Sequence, residues 1–96
     1  MIVLNVTYKC KADKRVDYLA AIQKEKIDEA SRAEDGCSKY EYYTSIADPD
    51  ELLLIEKWKD AEAIDFHKEQ KHFARLGELK VEYVDETIIE KFENVG

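Results

Sequence analysis

The sequence predicts an α+β domain with the element order β-α-β-β-α-β. Three observations carry that expectation. Residues 2–10, IVLNVTYKC, alternate in the manner of a half-buried strand. Residues 52–58, LLLIEKW, open on a continuous apolar run, the mark of a strand covered on both faces. Two further stretches, about Lys14 to Ala33 and Asp60 to Leu79, carry apolar residues at helical spacing.

In the first strand Ile2, Leu4, Val6 and Tyr8 point one way, and Val3, Asn5, Thr7 and Lys9 the other. KADKR is a polar turn, with Asp13 as candidate N-cap of the first helix. On that helix Val16, Leu19, Ala20, Ile27 and Ala30 fall on one stripe, with Gln23 in its middle. EDG, 34–36, ends the helix, and Gly36 is expected at positive φ. The tyrosine-rich CSKYEYYTSI, 37–46, is a second strand, with Tyr40 and Tyr42 on one face and Tyr43 on the other. Pro49 places ADPDE in a loop. After the third strand Asp60 caps a helix expected to break near Glu69–Lys71. Residues 81–93 form the last strand.

This order is the split βαβ, ferredoxin-like arrangement: a four-stranded antiparallel sheet with helices on one face. No linker or composition shift divides the chain, so residues 1–96 are expected to be one domain. A chain this short buries only roughly 60–65% of its unfolded surface. The uncovered sheet face is therefore expected to meet its copy in a homodimer. A net charge of −7 with no basic stripe argues against nucleic acid. The lack of a long apolar run argues against a membrane span. Cys10 and Cys37 are isolated and expected to stay reduced, and the N-terminus reads as a strand rather than a leader. A cytoplasmic protein is the resulting expectation.

Chemistry-bearing residues gather in EKWKDAEAIDFHKEQKHF, 56–73, which holds Trp58, His67 and His72. Glu56 and Trp58 are two apart on a strand and share a face with Leu52 and Leu54. On the helix side, Glu56 would be a carboxylate against an apolar wall, with its pKa raised. His67 lies on the helix expected above that face, with the small Ala63 one turn before it. No metal site is expected: five residues apart, His67 and His72 diverge by about 140° on an unbroken helix, and no HExxH or CxxC spacing occurs. The glycines form no phosphate loop, so no nucleotide cofactor is expected.

The segment LLLIEKWKDAEAIDFHKEQKHFARL resembles the antibiotic biosynthesis monooxygenase (ABM) family, the dimeric α+β barrel proteins. Glu56, Trp58, Ala63, His67, His72 and Phe73 carry the likeness, and EDGCSKYEYY extends it. Small quinol oxygenases and enzymes that process the autoinducer-2 signal have similar signatures. Lys71 and Ala12-Asp13 stand where many relatives have proline-containing turns. The resemblance implies a cofactor-free monooxygenase acting on a small electron-rich aromatic. His67 would be the base, with His72 and Glu56 also catalytic. Trp58, Phe66 and Phe73 would wall the substrate pocket, Asn5 or His72 would donate to the substrate oxygen, and Tyr43 would complete the binding set. Three alternatives stand beside it: an isomerase of a small sugar-like, phosphorylated ketone, a non-enzymatic ligand-binding dimer, and haem breakdown. For the last, the expected helix Trp and following His are missing, since His67 and Gly77 occupy those positions.

Overall fold

The computed structural model describes residues 1–94. The elements run β1 (Ile2–Cys10), α1 (Arg15–Lys24), α2 (Ile27–Arg32), β2 (Cys37–Thr44), β3 (Glu51–Trp58), α3 (Ala61–Lys68), α4 (Lys71–Tyr83) and β4 (Val84–Glu93). The four strands form one antiparallel sheet in the order β2-β3-β1-β4. This is the α+β, ferredoxin-like fold that the element order predicts, with the first helix in two pieces and the second bent into two.

Register decides which side chains share a face. Tyr8 pairs with Leu52, Val6 with Leu54, Leu4 with Glu56 and Ile2 with Trp58. Tyr40 pairs with Glu56 from the other side of β3. These residues line the face beneath the helices, where Tyr8, Tyr18, Ile22, Tyr40, Leu54, Trp58 and Leu79 make the centre of the core. The opposite face holds Val3, Asn5 and Thr7 of β1, Leu53 and Ile55 of β3, and Ile88 and Phe92 of β4. Ile88 and Phe92 are exposed, and Val3, Leu53 and Ile55 are half-buried. Cys10 and Cys37 sit at opposite ends of the sheet and are free.

The first helix departs from the expected stripe. Lys26 adopts a left-handed conformation, φ 57, and divides the segment into α1 and α2. That residue resets the helical phase, so stepping 100° per residue from Val16 to Ala30 crosses a discontinuity. Tyr18 and Ile22 of α1 and Ile27, Asp28 and Ser31 of α2 are the buried residues, whereas Val16 is 74% exposed and Ala20 and Gln23 are exposed. Asp13 is not the cap: Lys14 precedes α1, and Asp13 itself has φ 63. Gly36 does not take positive φ. It is needed for close approach instead, because a Cβ there would overlap the Cβ of Ala63 on α3. The Gly36 carbonyl also accepts a hydrogen bond from Lys59 N at 2.8 Å, tying the residue before β2 to the residue after β3.

The second helical stretch starts and breaks as expected but runs on to Tyr83, past Leu79, so the last strand begins at Val84 rather than at residue 81. The Asp60 side chain accepts a hydrogen bond from Ala63 N at 2.9 Å and starts α3. The helix ends at Lys68, and Gln70, extended at φ −79 and ψ 149, turns the chain before α4 begins at Lys71.

Candidate active site

Helix α3 is a partition between two hollows. Its Ile64, His67 and Lys68 face an inner cavity of about 170 Å³ above the sheet. Its Ala63 and Phe66 face an outer cleft of about 610 Å³ that also touches Glu34, Gly36 and His72. The 3.6-residue period puts these two sets on different sides of the same helix. Leu4, Val6, Tyr40, Phe73 and Leu76 make the inner cavity largely apolar, and Glu56 opens onto it.

His67 is held on all sides. Its ring lies 4.6 Å from the Trp58 ring, 5.1 Å from Phe73 and 5.8 Å from Tyr40, centroid to centroid. Nδ1 lies 2.6 Å from Oε2 of Glu34, and His72 Nε2 lies 2.7 Å from the same oxygen. An ionised carboxylate only accepts, so both imidazoles donate to it. His67 then carries its proton on Nδ1, which leaves the Nε2 lone pair free. Burial pushes the His67 pKa down from its ordinary value, against the opposing pull of Glu34. The imidazole is therefore neutral near pH 7, the state in which it can accept a proton.

The break between α3 and α4 makes the cluster. The five-residue spacing of His67 and His72 turns them apart only on a continuous helix. Here the extended Gln70 interrupts the helix, and the two rings come to 5.7 Å. Glu34, between α2 and β2, reaches them from a distant part of the sequence. Sequence reasoning passed over Glu34, treating EDG as a helix end. The one available signal is a carboxylate two residues before the glycine that lets α3 approach.

Other expected site residues fall in different places. Trp58 is completely buried behind His67 and is not a wall of the inner cavity. It pairs with Ile2, one step along the sheet from the cavity-lining Leu4. Phe66 is 55% exposed and faces the outer cleft. Asn5 and Tyr43 alternate onto the other face of the sheet and cannot meet a substrate beneath the helices. Tyr40, rather than Tyr43, is the second-strand tyrosine on the cavity. Phe73 and Glu56 do line it.

The profile of the antibiotic biosynthesis monooxygenase family matches residues 1–78. The chain belongs to that family. It is 37% identical over 73 residues to "Putative monooxygenase YcnE" of Bacillus subtilis (strain 168), a match covering 76% of this chain and 75% of that protein. It is 40% identical over 63 residues to "Putative monooxygenase Rv0793" of Mycobacterium tuberculosis (strain ATCC 25618 / H37Rv), covering 62% of this chain and 61% of that one. The structure of "Putative antibiotic biosynthesis monooxygenase from Nitrosomonas europaea" superposes over 100% of both chains with a TM-score of 0.89 at 22% identity, a likeness of fold.

In this ABM protein the buried Glu56 is the carboxyl most altered by its surroundings. Burial pushes its carboxyl up to about 7, with Glu34 adding to the rise and the Trp58 Nε1–H hydrogen bond at 2.9 Å opposing it. The folded protein therefore binds a proton here more tightly than the unfolded chain, whose carboxyl titrates near 4.5. Stability contributed by this site is highest below about pH 4.5 and falls as pH rises through about 7. The loss is on the order of 3 kcal/mol at most. Urea unfolding at pH 5 and pH 8 checks this: Glu56→Gln should gain on wild type as pH rises. A stability difference independent of pH would refute the shift.

Proposed function

We propose that this protein is a cofactor-independent monooxygenase that oxygenates a small, quinol-like aromatic in the inner cavity. The single observation that carries the reading is His67, neutral and oriented by Glu34, on the wall of an apolar cavity of about 170 Å³. The cavity is matched to one aromatic ring. His67 Nε2 removes a phenolic proton as general base. The resulting anion is electron-rich enough to pass an electron to dioxygen, and radical recombination forms the C–O bond. The O–O bond of the resulting hydroperoxide and the C–H bond at the same carbon then break, so the second oxygen leaves as water and the ring, having supplied all four electrons, ends at the quinone level. Glu56, titrating near neutrality beside the cavity, returns protons to the reduced oxygen. Trp58 acts as a positioning residue, fixing Glu56 through its indole N–H and His67 through ring contact. Oxygen uptake with hydroquinone-type substrates tests the reading, with consumption above the uncatalysed rate expected. Buffer-level uptake across such a panel overturns it.

A second reading is favoured by Lys68 and Lys80, which also line the cavity. Two cations there suit an anionic substituent, as in an isomerase of a phosphorylated, sugar-like ketone. Turnover of such a compound without oxygen would favour it over oxygenation.

The assembly belongs to the same proposal. A second copy covers the apolar sheet face of Val3, Leu53, Ile55, Ile88 and Phe92, sheet against sheet. Light scattering should give twice the 11.2 kDa chain mass, and Ile55→Asp should shift the protein to monomer. Wild-type monomer at tens of micromolar would sink this assembly.

A further inference from the structure

The wall between the two hollows has a capability that the oxygenase reading does not use. We propose that Glu34, His67 and His72 form a binding site for a divalent first-row transition cation of the Zn²⁺ type. Their donor atoms come from three separate elements and lie within 4.8 Å of one another. Two imidazole nitrogens and one carboxylate are a donor set that such cations take in three-ligand sites, at about 2.0–2.2 Å.

Several features of the chain support the site. Both nitrogens are aimed at one atom, Glu34 Oε2, at 2.6 and 2.7 Å. A cation bound by all three needs its donors about 3 Å apart, so the carboxylate has to withdraw slightly. Glu34 has a second oxygen to bring in. Oε1 is buried, and among the described residues it has no hydrogen-bond partner. The side chain is only 6% exposed, so this oxygen is not free in bulk water. A buried carboxylate oxygen without a donor is a costly arrangement, and a cation would satisfy it. The outer cleft supplies the approach and the position for a water ligand, since Glu34 and His72 both line it. Asp35, Asp60 and Glu62 line the same cleft against Lys59, a balance of charge that draws cations inward. The inner side is closed by the rings of Trp58 and Phe73, which hold His67 in place.

Cation and general base exclude each other. Binding replaces the Nδ1 proton of His67, and the neutral ring then carries its proton on Nε2, facing away from the metal. In that state His67 has no lone pair to offer the cavity. The site is thus a point at which a metal would switch the proposed base off, although its occupancy does not depend on the oxygenase reading.

The test is binding, with no activity readout. Chelator-treated protein is titrated with Zn²⁺ by calorimetry and with Co²⁺ by visible absorption. One ion per chain with micromolar or tighter affinity is expected, and the cobalt form should show the intense bands of a low-coordinate nitrogen and oxygen site. Glu34→Gln and His72→Gln should each weaken binding at least tenfold. His72→Gln is the decisive variant: its amide still donates to Glu34, so hydrogen bonding survives while the imidazole ligand is lost. His72 is 19% exposed, which makes the exchange tolerable to the fold, and circular dichroism checks that it is. No saturable uptake up to millimolar metal, or uptake equal in wild type and His72→Gln, overturns the proposal. A protein that binds zinc in this pattern yet consumes no oxygen upholds the site and sinks the oxygenase reading alone.

Discussion

Oxygen-consuming turnover should fall by on the order of 10²–10⁴ when His67 is replaced by alanine. The expectation rests on the proton inventory of the inner cavity. Among the groups lining it, His67 alone combines a neutral ring near pH 7 with a fixed donor on its far nitrogen. Tyr8 and Tyr40 also line the cavity, but burial drives their pKa values well above ordinary, so neither is a ready base. Glu34→Gln should lower kcat with little change in KM, by a smaller factor than His67→Ala. An amide can donate as well as accept, so it no longer enforces a proton on Nδ1, yet it leaves the apolar walls that bind the ring intact. Steady-state oxygen-electrode kinetics on wild type and both variants, with a chelator present, checks this. Equal kcat for wild type and His67→Ala would remove the imidazole from the chemistry. A rise in KM alone for Glu34→Gln would mean that Glu34 shapes the cavity rather than the base.

The second large effect is on stability. Trp58→Ala should cost about 3–5 kcal/mol, the usual range for deleting a buried aromatic. Against a total of roughly 5–15 kcal/mol for a domain of this kind, that would leave the protein at the margin of folding. Trp58 is completely buried, packs on His67 and donates its indole N–H to Glu56. Its removal therefore opens a cavity and also strands a buried carboxyl oxygen. Trp58→Phe separates the two contributions: it keeps most of the volume and loses the hydrogen bond, for about 1–3 kcal/mol. Urea midpoints at fixed protein concentration measure both. A loss below about 1 kcal/mol for Trp58→Ala would mean the site collapses to fill the void.

Much of the fold is legible in the sequence because strands announce themselves locally. Alternation in residues 2–10 puts Val6 and Tyr8 on one face and Asn5 on the other, and the structure agrees. The Asp60 cap and the break near Glu69 are also local signals. The first helix is less legible, because the left-handed Lys26 shifts the phase without any glycine or proline to mark it. The likeness of 52–76 to a known family points to the segment that carries His67 and His72, but not to Glu34, which their imidazoles contact. Asn5 and Tyr43 were expected at the site although their strand parity puts them on the far face. Glu34 was missed because its role depends on three elements meeting: the end of α2, the close approach at Gly36 and the bend between α3 and α4. Of these only Gly36 lies within a few residues of Glu34, and the other two are encoded elsewhere in the chain.

The two-sided character of α3 has an evolutionary consequence. Ile64 and Phe66 are neighbours in the gene but belong to different compartments. Drift at Ile64 can resize the chamber for a new molecule while the acidic vestibule behind it stays as it was, and drift at Phe66 can do the reverse. A single short rod thus lets the two hollows change shape independently on one small scaffold.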